Sequence, residues 1–207
     1  MTVWLARVDD VRPGSRALLV GAAGAALGLP PQAIEVTKDP GGRPRLVGEA
    51  AGLHVAVSHT RGIAAVATSR LAPVGVDVEA VRPLPSAALA RRWLLPAEAD
   101  WLAAQPAGAQ AAAFLLLWTY KEAVGKARGT GLRGGGLRQP APLPGPGGLA
   151  PAGRDGAVVL RPVPGDADLV AGVAVTDPGL VLAVAAASAA ASGSRPVVRE
   201  FELDPTG

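Results

Sequence analysis

The chain has 207 residues, is 49% hydrophobic and contains no cysteine, so it is a core-forming globular protein without disulfides or thiolate metal sites. Any metal must be held by oxygen or by the two histidines, His54 and His59. The formal charge of +3 is spread along the chain without the Lys/Arg run that tracks a nucleic-acid backbone, and the length suits one good-sized domain or two small fused halves.

In chain order, a short strand is predicted at Val3–Arg7, then a helix from Ser15, read as its N-cap, to a stop at Gly28 with Pro30-Pro31 beyond. Ile34–Thr37 reads as a strand, and the Gly- and Pro-rich segment 39–44 as a loop. Leu53–Ser58 and Ile63–Ser69 read as strands joined in a hairpin through His59-Thr60-Arg61-Gly62. The apolar strand Val74–Glu79 follows, then helices at Ser86–Leu94, Pro96–Ala104 and Gln110–Arg128. Residues 129–156 read as loop with at most a short strand. Val158–Arg161, Asp168–Val175, Leu180–Ala186 and Val197–Leu203 complete a sheet. Each half supplies helices and antiparallel strands, which makes the fold class α+β. The charged N-terminus lacks the apolar stretch of a signal peptide, and no run is long enough to span a bilayer; a cytoplasmic protein is expected.

Three segments carry chemistry. Asp77 and Glu79 stand one residue apart within an apolar strand, so both carboxylates share a face while Val76 and Val78 point the other way. Such a pair either points to water or is held together by a hard divalent cation with phosphate oxygens and waters. Trp118, Glu122 and Lys126 fall at i, i+4 and i+8 on one helical stripe. That spacing fits an ordinary surface Glu–Lys pair, but the tryptophan on the same stripe argues for a covered face, where Glu122 would bring a third carboxylate and Lys126 would meet an anion. Ser58-His59 ends an apolar strand, where His59 is either exposed or a donor to a phosphate. Arg43, between Gly42 and Pro44, is a further phosphate partner. Only three of the twenty basic residues are lysine, and two of these, Lys121 and Lys126, lie in the same helix, where a compact ammonium has a use that arginine would not serve.

Together these segments resemble the 4′-phosphopantetheinyl transferases of the surfactin-synthetase-activating type. That family carries, in order, a G-K-P-like loop, an S-H strand end, a G-[IV]-D-[IV]-E strand and a helix W-x-x-K-E-x-x-x-K-x-x-G-x-G-L. Here they read Gly42-Arg43-Pro44, Ser58-His59, Gly75 to Glu79, and Trp118 through Lys126 to Leu132; Arg92-Trp93-Leu94 with Glu98 matches a short helical segment ending in an acid. Arg43 stands where the family has lysine, and the short region before it leaves Arg12 and Arg16 as its basic residues for a nucleotide 3′-phosphate.

The resemblance implies two similar α+β halves, 1–73 binding coenzyme A and 74–207 holding the metal and catalytic helix. These would be related by a pseudo-twofold axis with the site in the cleft between them. It implies that Asp77, Glu79 and Glu122 bind Mg²⁺ (or Mn²⁺) and that Arg16, Arg43, Ser58, His59, Lys121 and Lys126 bind coenzyme A. Glu122, Lys126 and His59 would then be the catalytic groups. The phosphopantetheine arm would pass to a serine of an apo acyl, peptidyl or polyketide carrier protein, releasing adenosine 3′,5′-bisphosphate. The base is left open among Glu122, Glu98 and a metal-bound water. A monomer without nucleic-acid or membrane partners is expected. The competing readings are a non-catalytic coenzyme A-binding protein and a metal-dependent nuclease. The nuclease is disfavoured because Ala80-Val81, with no lysine, follows Glu79.

Overall fold

A computed structural model describes residues 1–143, 158–177, 179–188 and 197–200. Strand β1 (Thr2–Arg7) leads into helix α1 (Val11–Leu27), and the short strands β2 (Glu35–Lys38) and β3 (Pro44–Val47) form a separate two-stranded ribbon. The hairpin β4 (His54–Thr60)–β5 (Ile63–Ser69) is followed by β6 (Val74–Ala80), α2 (Ser86–Trp93), α3 (Pro96–Ala103) and the long α4 (Gln110–Arg128). Strands β7 (Arg161–Val163), β8 (Asp166–Asp177), β9 (Leu180–Ala187) and β10 (Val197–Glu200) complete the described elements.

The strands form two four-stranded sheets, ordered β10-β1-β5-β4 and β6-β9-β8-β7, and the mixed α+β class expected from the sequence holds. The last strand, β10, runs parallel to β1 in the first sheet, so the end of the described chain returns to the sheet in which it began.

Alternation along the strands produces a four-layer stack. One face of the first sheet, with Ala6, Val55, Ala64 and Val66, packs on Leu18, Leu19 and Ala22 of α1. Its other face, with Val3, Ala56, Ala65 and Ala67, meets Val74, Val76, Val78, Leu182 and Val184 of the second sheet. The outer face of that second sheet, with Val181, Ala183 and Ala185, lies under α4, which is apolar almost all round and also carries α2 and α3. The alanine-rich composition suits this arrangement, because small side chains let layers approach closely.

Several boundaries differ from those read from sequence. Helix α1 begins four residues before Ser15: Asp10 is the N-cap, accepting from the Arg12 N–H at 3.2 Å, while the Ser15 hydroxyl donates to the Val11 carbonyl inside the helix. Gly28 closes α1 in the left-handed conformation (φ 75°) as expected. The β4–β5 hairpin is tighter than predicted, turning on Arg61-Gly62 alone, and β3 was not foreseen after the 39–43 loop. Residues 158–160 are not a strand; β7 starts at Arg161. The predicted 129–156 loop from residue 144 onward and the end of the predicted last strand lie outside the described residues. No helix among the described residues is long and apolar enough to cross a membrane.

One contact positions everything that follows. A Cβ added to Gly75 would stand 1.9 Å from the Ala123 carbonyl oxygen, so α4 rests directly on the backbone of β6. Gly75→Ala is expected to push α4 off the sheet and to cost about 1–3 kcal/mol of stability, read as a lower urea midpoint at unchanged m-value; a midpoint equal to wild type would refute the close packing.

Candidate active site

Strand β6 lies at an edge of its sheet, and β9 covers only one of its sides. An unpaired edge must satisfy its outward N–H and C=O groups by other means, and here side chains do so. Arg43 Nη2 donates to the Val74 carbonyl at 3.1 Å, and Lys126 Nζ to the Val76 carbonyl at 3.0 Å. The Val78 N–H donates to Ser58 Oγ at 3.4 Å, and the Ala80 N–H to Thr60 Oγ1 at 3.2 Å. Residues 74, 76, 78 and 80 thus face the open edge, and three of the residues singled out from sequence (Arg43, Ser58 and Lys126) are anchored along it. Thr60, the fourth anchor, was missed; its only sequence signal is its place next to Ser58-His59.

Asp77 lies at the centre of this edge. Its side chain is almost buried, and Oδ1 accepts from Ser58 Oγ at 2.6 Å and from Lys126 Nζ at 2.8 Å. The bond from β4 to β6 and the ion pair from α4 converge on one oxygen. The other, Oδ2, is buried and has no hydrogen-bond partner.

Glu122 is half-buried one turn before Lys126, on the stripe that the sequence predicted. Burial pushes its pKa up, the nearby Asp77 and Glu79 carboxylates push it further, and Lys126 opposes them. Glu79, partly buried, pairs through Oε2 with Arg82 at 2.9 Å. Trp118, the third member of the stripe, stacks on Phe114 with ring centroids 5.9 Å apart.

The three carboxylates feel one another, yet among the described residues no three His, Cys, Asp or Glu side chains are drawn together tightly enough to enclose an ion as they stand. Lys126 and Arg82 hold Asp77 and Glu79 instead. Two features nevertheless fit a hard cation: the unpartnered buried oxygen of Asp77, and a half-buried Glu122 whose ionised form is disfavoured by two neighbouring anions.

A cleft of ≈ 850 Å³ opens beside this edge, between the Gly41–Pro44 loop and the chain leaving α4, with Arg43, Lys126, Arg128 and Gln139 on its walls. The Arg43 guanidinium, whose pKa is lowered by burial, crosses the cleft to within 3.4 Å of a Cβ placed on Gly129. Gln139 had no signal in the sequence that would have selected it. His59 is exposed at the end of β4, the neighbour of the buried Ser58, and Arg16 is exposed on α1, outside this hydrogen-bonded group.

Lys121 requires a correction. It was expected among the residues that bind coenzyme A, but it is wholly buried, pairs with Glu98 at 2.9 Å and donates to the carbonyls of Leu137 and Gln139. Position 121 lies on the core side of α4, about 140° around the axis from Lys126. Glu98 is equally buried, its oxygens accepting from Lys121 and the N–H groups of Leu95 and Ala141, and it has no access from which to act as a base.

Residues 73–142 match the family described as the 4′-phosphopantetheinyl transferase superfamily. The chain is 32% identical over 120 residues to the 4′-phosphopantetheinyl transferase HetI of Nostoc sp., an alignment covering 56% of this chain and 51% of HetI. It is 36% identical over 104 residues to the 4′-phosphopantetheinyl transferase psf-1 of Bacillus pumilus, covering 50% of this chain and 43% of that relative. The chain therefore spans about half the length of the curated relatives it matches.

The raised pKa of Glu122 has a testable sign. A carboxyl whose folded pKa lies above its unfolded value contributes stability below the unfolded pKa and loses it as pH rises through the folded pKa. In metal-free solution Glu122→Gln should therefore melt higher than wild type near pH 7, and the difference should fade as pH falls toward the model-peptide value of 4.5. Melting curves across that range check it; a difference that grew on acidification would reverse the assignment.

Proposed function

We propose that the chain, whose residues 73–142 match the 4′-phosphopantetheinyl transferase superfamily, transfers the 4′-phosphopantetheine arm of coenzyme A to a serine of an apo carrier protein in the cytoplasm. The observation that carries this reading is the convergence of Ser58 and Lys126 on Asp77, with Lys126 also lining the cleft that Arg43 walls. Anionic catalysis needs such fixed charge: phosphoryl transfer depends mainly on positioning and on preorganised stabilisation of phosphate oxygens.

Asp77, Glu79 and Glu122 are the residues that would hold Mg²⁺, or Mn²⁺ in its place. The ion would supply positive charge against the pyrophosphate. Lys126, one-quarter exposed, is placed to exchange its contact with Asp77 for a phosphate oxygen once that carboxylate has a cation to face. Arg43 and His59 would grip the remaining phosphates, with Arg16 as the exposed basic residue for the nucleotide's 3′-phosphate. The carrier's serine oxygen forms a bond to the β-phosphorus as the bridging P–O bond breaks. Adenosine 3′,5′-bisphosphate leaves with the bridging oxygen, and the serine proton passes to Glu122. The burial of Glu98 leaves Glu122 as the side chain suited to that role.

We also read the chain as two similar halves about a pseudo-twofold axis, because α1 packs on β4–β5 much as α4 packs on β6–β9; the halves are 1–73 and the segment from 74 onward, except that β10 crosses back to pair with β1 in the first sheet. The junction that builds the site, Ser58 to Asp77, is internal to one chain, which supports a monomer as the working unit. No stripe of basic charge or apolar surface in the sequence calls for a nucleic-acid or membrane partner.

The reading is tested by incubating the chain with coenzyme A, Mg²⁺ and a panel of apo acyl, peptidyl and polyketide carriers and weighing the products. Addition of one phosphopantetheine to a carrier is the expected result, and unmodified carriers across the panel would refute it. Asp77→Asn should keep the fold and lose at least roughly 100-fold in turnover. Lys126→Ala should lose about 2–4 kcal/mol of transition-state stabilisation in kcat/KM for coenzyme A. Unchanged kinetics in Lys126→Ala would return that lysine to a purely structural pair.

A further inference from the structure

Helix α4 presents two lysines to two different surroundings, and the site described above uses one of them. Lys121 is fully buried, and its ammonium makes three contacts: Glu98 Oε1 at 2.9 Å, the Leu137 carbonyl at 2.9 Å and the Gln139 carbonyl. All three of its protons are thereby engaged, so it has no donor left for a ligand. Glu98, on α3, completes the arrangement by accepting the Ala141 N–H at 2.9 Å through the same Oε1. Two buried, mutually paired side chains thus hold three main-chain groups within the five residues 137–141.

That segment begins in the last turn of the 3₁₀ stretch Arg133–Arg138 and has no strand partner among the described residues. Its outer side is also clamped. Arg128 Nη2 donates to Gln139 Oε1 at 3.0 Å while pairing with Asp166 at 2.6 Å, and Gln139 Nε2 donates to the Pro164 carbonyl. Gly136 sits so close to the preceding loop that a Cβ there would stand 2.9 Å from the Gly131 carbonyl oxygen. Gly136 and Gln139 in turn line the cleft beside Lys126. The strap from Gly136 to Ala141 is therefore a wall of the cleft whose position is set from inside the core.

We propose that Lys121, together with Glu98, is a positioning residue: it holds the strap 137–141 at the spacing that lets the cleft bind coenzyme A, and it touches no substrate itself. The identity of the ligand rests on the function proposed above; the anchoring of the strap does not. A buried ion pair is by itself weak evidence of a stabilising role, and exchanging both charges for apolar side chains of similar volume is often neutral for stability. That property separates anchoring from mere charge balance. Lys121→Met alone leaves Glu98 buried and unpaired, whereas Lys121→Met/Glu98→Met removes the charge problem but still leaves the carbonyls of Leu137 and Gln139 without their donor and the N–H groups of Leu95 and Ala141 without their acceptor.

The experiment uses the full chain, with coenzyme A, Mg²⁺ and an apo carrier. The double variant is expected to melt above Lys121→Met but below wild type, because main-chain groups of the strap lose their partners, and to show a KM for coenzyme A raised about tenfold, with kcat within about threefold. Amide exchange in residues 137–141, measured without ligand, should be about tenfold faster than in wild type, while β4 and β5 keep their protection. Recovery of wild-type KM and exchange along with the melting point would overturn the proposal and leave the pair as charge balance. A fall in kcat at unchanged KM would also overturn it, by placing Lys121 at the reacting atoms. Should neither variant fold, the wild-type Ala141 amide decides: protection comparable to β4 is expected from its bond to Glu98, and free exchange refutes the anchor. Failure of wild type to bind coenzyme A would sink the proposed function alone, and the exchange measurements would still decide the strap.

Discussion

The unpaired edge of β6 is the constraint on which the site depends. An antiparallel edge strand directs the N–H and C=O of alternate residues outward, and near a core these groups must find partners. In this chain the partners are side chains contributed by three separate elements: Arg43 before β3, Ser58 and Thr60 on β4, and Lys126 on α4. The two sheets are joined at this edge by hydroxyl and cationic side chains in place of a continuous ladder. The same bonds that protect the edge bring the polar groups to one place, so packing and chemistry are solved together.

Asp77 is the meeting point of this arrangement, and its surroundings are asymmetric. One oxygen carries both the Ser58 hydroxyl and the Lys126 ammonium; the other is buried without a partner. With burial and the neighbouring Asp77 and Glu79 all disfavouring ionisation of Glu122, the region holds more negative charge than its local counter-ions neutralise comfortably. Lys126 and Arg82 carry part of that burden in the state described. A site of this kind is poised to take a cation and release Lys126 toward an anion, which is the logic of the proposed function.

The two lysines of α4 illustrate how close spacing in sequence can separate roles. Lys126 lies on the stripe with Trp118 and Glu122, all three partly exposed, and reaches the edge of β6. Lys121 points into the core, where burial lowers its pKa and Glu98 opposes the shift. Burying an ammonium is costly unless it is paired and hydrogen-bonded, and here one carboxylate and two carbonyls meet that need. The glycines at 75 and 125 complete the picture: each lies where a side chain would collide with main chain, at 1.9 Å from Ala123 and 2.2 Å from Gly131. They let α4 lie on β6 and let the following loop fold back on α4.

The sequence by itself determined what local periodicity and motif order can determine. The bounds of α4 and β5 read from it coincide with those observed, as does the shared face of Asp77 and Glu79, which follows from a period of two. The stripe of Trp118, Glu122 and Lys126, which follows from 3.6 residues per turn, is also as read. The start of α1 was misplaced because Ser15 and Asp10 are both competent caps, and propensity alone does not rank them. What only the tertiary structure decided is which partners those groups meet. Residues 58, 77 and 126 converge because β4 and β6 meet at their free edges and α4 crosses above them. Lys121 and Glu98, residues of the kind that usually face water, turned inward because a segment forty residues beyond Glu98 needed its main-chain groups satisfied. Such pairings depend on contacts distant in the chain, which no local pattern of residues encodes.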